Sequence, residues 1–346
     1  MEIVIITCII VFAILVIYFA KEGFKTNNID EEYDLIKKYL LNESPLYGKN
    51  KPKIWIHTTN NIDSDNWNTF SDHNSTNKNQ PYIELTIQSI INHCALDFNI
   101  LLINDETFLK LIPHWKWGNM SNIADPEKKN IRQYGLLKLL YFYGGIIVPN
   151  SFICFKNLES LFKPTPFVVE TINKTLFDSG KTFCPSIKFI GVRNKRDLSI
   201  KKIIDELFSE NMFENIPNNK KWEMIGMEND IVGKSNNIIS KYIKNENWFL
   251  WSGDLFGIKT SKDGNPILIE DLMEDDYLDL PSNMYGILVD SDELMRRNKY
   301  NWLTYIKADS NNLLNGCNNI LSKYLNKSLI DGIITNKDKI LNVNKI

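Results

Sequence analysis

The chain has 346 residues, 43% of them hydrophobic and 24% charged, which is enough for a sizeable core in one large α/β domain or two smaller ones. A formal net charge of −2 gives no nucleic-acid signature. The five cysteines Cys8, Cys94, Cys154, Cys184 and Cys317 are far apart in sequence, odd in number and without a Cys-x-x-Cys pair, so they support neither a disulfide framework nor a zinc site.

Ile3 to Ala20 is an uninterrupted apolar run, about 27 Å long as a helix and sufficient to span a bilayer. Only Glu2 is charged ahead of it and no small-x-small site follows, so residues 1–20 read as an uncleaved transmembrane anchor in preference to a signal peptide. Lys21, Lys25, Lys37 and Lys38 follow the run, and the positive-inside rule puts the body on the cytosolic side. Residues 21–50 are polar and form a juxtamembrane stalk, with a short helix from Asp30 to Leu41.

Pro52 opens the first strand, and the Asn-, Asp- and Ser-rich segment Ile62 to Gln80 reads as a long loop over the carboxyl ends of the strands. Pro81 starts a helix with Ile83, Ile87, Ile90, Ile91 and Cys94 on one face, and a second strand follows in Phe98 to Glu106. Asp125, Pro126 and Glu127 begin the next helix, where Ile131, Leu136, Leu139, Leu140 and Tyr143 form an apolar stripe. Gly144 and Gly145 leave that helix through left-handed backbone into the buried strand Ile146-Ile147-Val148, and Pro149 ends its pairing. This βαβαβ order implies a largely parallel sheet, whose ligands bind at the carboxyl ends of its strands.

Farther on, Phe152 to Phe155, Phe167 to Val169, Ser186 to Val192, Trp248 to Trp251 and Asp254 to Lys259 read as strands. Asp197 caps a helix through Phe208 with Ile200, Ile203, Ile204 and Leu207 inward. Lys262 to Asn265 is a hairpin turn leading into a strand from Pro266 to Ile269, and Glu270 to Asp279 is an acidic surface segment. Helices follow at Ser291 to Asn298 and Ser310 to Leu325. The body then occupies residues 51–325, and residues 326–346 form a frayed polar tail.

Three segments carry a resemblance: Tyr143-Gly144-Gly145 with its helix and strand, Pro52-Lys53-Ile54-Trp55-Ile56-His57-Thr58-Thr59, and Phe98 to Glu106. Together they resemble the DXD-motif glycosyltransferases of the family 32-like group, related to the initiating α-mannosyltransferases and capsular-polysaccharide sugar transferases. The resemblance implies a GT-A-like (Rossmann-like), mostly parallel sheet flanked by helices, and transfer of a hexose from a nucleotide sugar to a glycan or protein acceptor. It also implies Mn²⁺ or Mg²⁺, hard ions that the family's Asp-X-Asp holds against the leaving diphosphate.

Laid over that pattern, the two aspartates fall on Pro149 and Ser151 with Asn150 between them, so the ligands for Mn or Mg are missing. The family's helix Asp and Arg fall on Gln133 and Leu136, with Arg132 one turn before Leu136. The resemblance puts His57 and Thr58 near the base, and Asp105, Arg132, Asn150 and Ser151 along the ribose, diphosphate and sugar. His57 also reads as a structural histidine, and Asp105 as the cap of the next helix. Asp254, in Trp251-Ser252-Gly253-Asp254, is the candidate catalytic carboxylate, with a turn role as its alternative. A catalytically inactive, membrane-tethered module, such as a large DNA virus carries, is the competing function.

Overall fold

The computed structural model describes residues 51–58, 82–118, 120, 123, 125–172, 183–208, 238–245, 247–275, 277–289, 314 and 318–343. The anchor, the stalk, the loop from Ile62 to Gln80 and the helix from Ser291 to Asn298 lie outside these residues. No helix among the described residues is long and apolar enough to cross a membrane.

In chain order the elements are β1 (Lys53–His57), α1 (Tyr82–Cys94), β2 (Asn99–Ile103), α2 (Asp105–Leu111), α3 (Asp125–Tyr143), β3 (Gly145–Ile147), β4 (Phe152–Cys154), β5 (Phe167–Ile172), β6 (Phe183–Val192), α4 (Leu198–Leu207), β7 (Phe249–Trp251), α5 (Ile269–Met273), β8 (Gly286–Leu288) and α6 (Ile320–Val343). The chain divides into two compact units, one holding residues 105–121 and the other residues 51–104 and 122–346. In the first, α2 leads into a cluster of aromatic rings, with Phe108 and Trp115 centred 5.2 Å apart and tilted, and Trp115 and Trp117 4.9 Å apart and edge to face. Trp115 is buried there, so packing accounts for that ring.

The second unit is built on a six-stranded sheet of order β2-β1-β3-β6-β5-β7. β1 pairs parallel with β2 and β3, and β5 with β7, while β6 runs antiparallel to both its neighbours. Five of the six strands therefore point the same way. This is a mixed α/β arrangement with a mostly parallel sheet flanked by helices.

The helix-to-strand join explains the sheet's centre. Gly144 N–H donates to Leu140 O at 2.8 Å and closes α3, and φ is +66° at Gly144 and +110° at Gly145. The residues of the expected apolar stripe on α3 are all buried, and Trp55 Nε1 donates to Gly144 O at 2.9 Å across the join. On α4 the expected cap forms, Asp197 Oδ1 accepting from Ser199 N at 2.9 Å, and Ile200, Ile203, Ile204 and Leu207 are buried. Burial of each such side chain contributes about 1.5–3 kcal/mol relative to exposure.

A second, two-stranded sheet pairs β4 with β8. Because side chains alternate along a strand, Phe152 and Cys154 face the core formed with the main sheet, and Ile153 faces a second core with Leu272, Ile287, Ile320 and Leu325. At the other margin, β7 ends the main sheet, with Lys163 Nζ above the rings of Phe249 and Trp251 at 5.5 Å and 5.3 Å from their centroids.

Four local expectations change. The buried face of α1 is Tyr82, Thr86, Ser89, Ile90, His93 and Cys94, with Ile83, Ile87 and Ile91 only half-buried, because α1 meets polar backbone groups of its neighbours. Residues 253–256 form a 3₁₀ turn closed by left-handed Gly257 (φ 63°), so a strand beginning at Asp254 is replaced by a turn and a lone bridge between Lys259 and Pro266. The acidic segment begins with α5, which buries Ile269 and Leu272, so Ile269 is helical and only part of the segment is surface. Finally, α6 continues past Leu325 to Val343 where a frayed tail was expected, and Ser328 within it is buried.

Candidate functional site

The common direction of five strands brings their carboxyl ends to one edge. Register makes this concrete: His57 is opposite Ile103, Thr58 N donates to Ile103 O at 2.9 Å, and Trp55 is opposite Ile147. His57 and Thr58 thus end level with the Pro149-Asn150-Ser151 turn. Farther across, Ile147 and Val168 both face Ile190 on β6, and Val169 is opposite Trp251. Glu170, Gly253 and Asp254 therefore lie at the same edge.

The turn after β3 is held by backbone and hydroxyl groups. Phe152 N donates to Pro149 O at 3.2 Å, and Val289 N donates to Ser151 O at 3.2 Å. The Thr86 hydroxyl on α1 lies 2.5 Å from Asn150 O and 2.9 Å from Ile83 O. One turn along, Ser89 Oγ donates to Thr86 O at 2.6 Å and accepts from Cys154 N at 2.9 Å. Buried polar groups are costly unless paired, so this seam explains why Thr86 and Ser89 are wholly buried on a helix otherwise rich in isoleucine. Ser151 is 3% exposed, whereas Asn150 is half-buried.

An ion pair at this edge has no local signature in the sequence. Glu170 Oε2 accepts from Lys259 Nζ at 2.6 Å and from Gly253 N at 2.9 Å. Lys259 Nζ also lies 5.0 Å from the centre of the Phe183 ring. This carboxylate fixes the start of the 3₁₀ turn that carries Asp254. Asp254 Oδ1 is buried with no hydrogen-bond partner, and so is Nε1 of Trp251 three residues before it. An acceptor and a donor, both unsatisfied, thus sit in one short stretch at the end of β7. The only signal of Glu170 in the sequence is a carboxylate inside an apolar run, and its cation is 89 residues away.

The remaining candidates stand on helices. Asp105 is the first residue of α2, in the unit of residues 105–121. Arg132 lies in the second turn of α3 and is half-buried. Its neighbour Gln133 donates through Nε2 to Ile187 O at 3.2 Å and so braces β6. Leu136 is 9% exposed.

A divalent ion of the Mn²⁺ or Mg²⁺ kind does not fit these residues. Such ions need several oxygen ligands, usually including carboxylates. The Pro149–Ser151 turn offers no carboxylate, and Glu170 is engaged by an ammonium and an amide. Among the described residues no group of three or more His, Cys, Asp or Glu side chains is placed to hold a metal.

No protein-family model matches the chain, and no curated protein matches it. Among solved structures it is similar to the PaToxG glycosyltransferase, at 16% identity over 65% of this chain and 83% of that one, with a TM-score of 0.30. It is also similar to the apo form of the glycosyltransferase GlyE of Streptococcus pneumoniae TIGR4, at 13% identity over 60% of this chain and 46% of that one, with a TM-score of 0.27.

Proposed function

We propose that the chain is a glycosyltransferase-like protein whose carboxyl sheet edge binds a nucleotide sugar and transfers a hexose without a divalent metal. The observation that carries this reading is the placement of His57, Asn150 and Asp254 after carboxyl ends of strands of one sheet, with Asp254 presenting a buried, unpartnered oxygen on a turn fixed by Glu170. In this reading His57 and Thr58 lie at the base, and Arg132 provides cationic charge for the diphosphate. Asn150 and Ser151 lie at the sugar, and Asp254 Oδ1 accepts the proton of an acceptor hydroxyl on a glycan or protein. Ile3–Ala20 anchors the body to a bilayer on the cytosolic side.

Titration calorimetry with UDP- and GDP-sugars, with and without Mn²⁺, tests this. Binding that Mn²⁺ leaves unchanged supports it. A second reading, an inactive transferase-like interaction module such as a large DNA virus carries at a membrane, is favoured by Ser151, which is buried where the family places its second aspartate. Absence of binding under both conditions would leave that reading standing.

A further inference from the structure

Cys94 ends α1 and Cys154 ends β4, 60 residues apart in the chain, yet their sulfurs are 3.9 Å apart and both side chains are fully buried. A disulfide needs sulfurs about 2 Å apart, so closing this pair takes a movement of about 2 Å. The two backbones are already held in place. Cys154 N donates to Ser89 Oγ on α1, and Ser328 Oγ donates to Cys154 O at 2.5 Å. The Cys154 thiol donates to Lys156 O at 3.1 Å, and burial raises its pKa, so in the resting protein it is a protonated, packed thiol.

We propose that Cys94 and Cys154 are a redox-modifiable pair, closed by a peroxide into a disulfide that ties α1 to the strand leaving the Pro149–Ser151 turn. In the first step a thiolate sulfur of the pair attacks the O–O bond of hydrogen peroxide, forming a sulfenic acid and, with one proton, a first water. In the second, the other sulfur attacks the sulfenic sulfur, the S–S bond forms and hydroxide leaves as a second water. Two thiols are oxidised and one peroxide is reduced. Because both sulfurs are buried, the reaction requires a local opening of α1 from β4, so it is slow and needs no unfolding of the rest.

The test uses the full chain, treated with hydrogen peroxide, quenched, alkylated in denaturant and digested. Mass spectrometry is expected to show a Cys94–Cys154 cross-linked peptide, reversed by dithiothreitol, present equally in Cys184→Ser and absent from Cys94→Ser. The oxidised chain is expected to be monomeric on a non-reducing gel and to melt at a higher temperature than the reduced one. Since Cys94→Ser alone can fail to fold, the Cys184→Ser protein carries the decision. Recovery of Cys94 and Cys154 both alkylated after peroxide treatment would overturn the proposal, as would links made chiefly to Cys184, to another cysteine or between chains.

Discussion

Glu170 and Lys259 meet at 2.6 Å, with 16% and 21% of their side chains exposed, and the same carboxylate oxygen receives the amide of Gly253. The ion pair is thus also a clamp on the turn that presents Asp254. Glu170→Ala leaves the ammonium and the amide without their acceptor and is expected to lower stability by about 1–3 kcal/mol in a denaturant titration. Glu170→Gln still accepts from Gly253 N and should lose less. Equal losses for the two would show that the amide contact has no weight.

Asp254→Asn separates chemistry from scaffold. Its carboxylate makes no hydrogen bond to the protein through Oδ1, so the melting temperature should hardly move. If Asp254 takes the acceptor proton, turnover of nucleotide sugar should fall by about 100-fold or more while donor affinity stays the same. Unchanged turnover would remove Asp254 from the reaction.

Gly145 admits no side chain. A Cβ there would lie 2.4 Å from Lys53 O, at a φ of +110° that other residues rarely adopt. Gly145→Ala is expected to cost at least ~2 kcal/mol, read as a shift of the urea midpoint, because the strand at the sheet's centre must move away from β1. A midpoint like that of the parent would contradict the close approach of the two strands.

Thr86→Val keeps the shape of the side chain and removes its hydroxyl, leaving the half-buried Asn150 carbonyl without its donor. A loss of about 1–2 kcal/mol is expected, with the larger relative effect on nucleotide-sugar affinity, since the turn itself loosens. Equal affinity in the variant would show that the turn does not depend on α1.

His93 gives the fold a pH dependence. Burial lowers its pKa below 6.5, outweighing the Ser328 carbonyl and Asp331, which raise it. The folded chain therefore binds this proton less readily than the unfolded chain, and stability is full above pH 6.5 and declines as the pH falls from 6.5 toward the lower folded value. Denaturation midpoints across that interval should drop in the parent and drop less in His93→Gln. Parallel curves would exclude His93 as the cause.

What the sequence conveyed, it conveyed through local rules. The Tyr143-Gly144-Gly145 join, the α4 stripe and the Asp197 cap follow from glycine's backbone freedom, helical spacing and an unpaired amide at a helix start. The face of α1 was not legible, because Ile83, Ile87 and Ile91 satisfy helical periodicity while the actual neighbours present Asn150 O, Cys154 N and Ser328 O. Those partners lie 64, 65 and 235 residues away, beyond any periodicity. The same distance hid Glu170 with Lys259 and Cys94 with Cys154. In the site, the placing of His57 and of the Pro149–Ser151 turn at strand ends followed from the βαβαβ order, but the position of Asp254 after β7 and the clamp beneath it required the tertiary fold.

The outermost strand of the main sheet carries one further consequence. Among the described residues no strand lies beyond β7, a terminal strand is a template for strand addition, and Phe249 on it is 44% exposed. The Lys163 ammonium above Phe249 and Trp251 places a hydrated positive charge where an incoming strand would dock. A charge in that place disfavours the docking of a second strand, as lysines on sheet margins do.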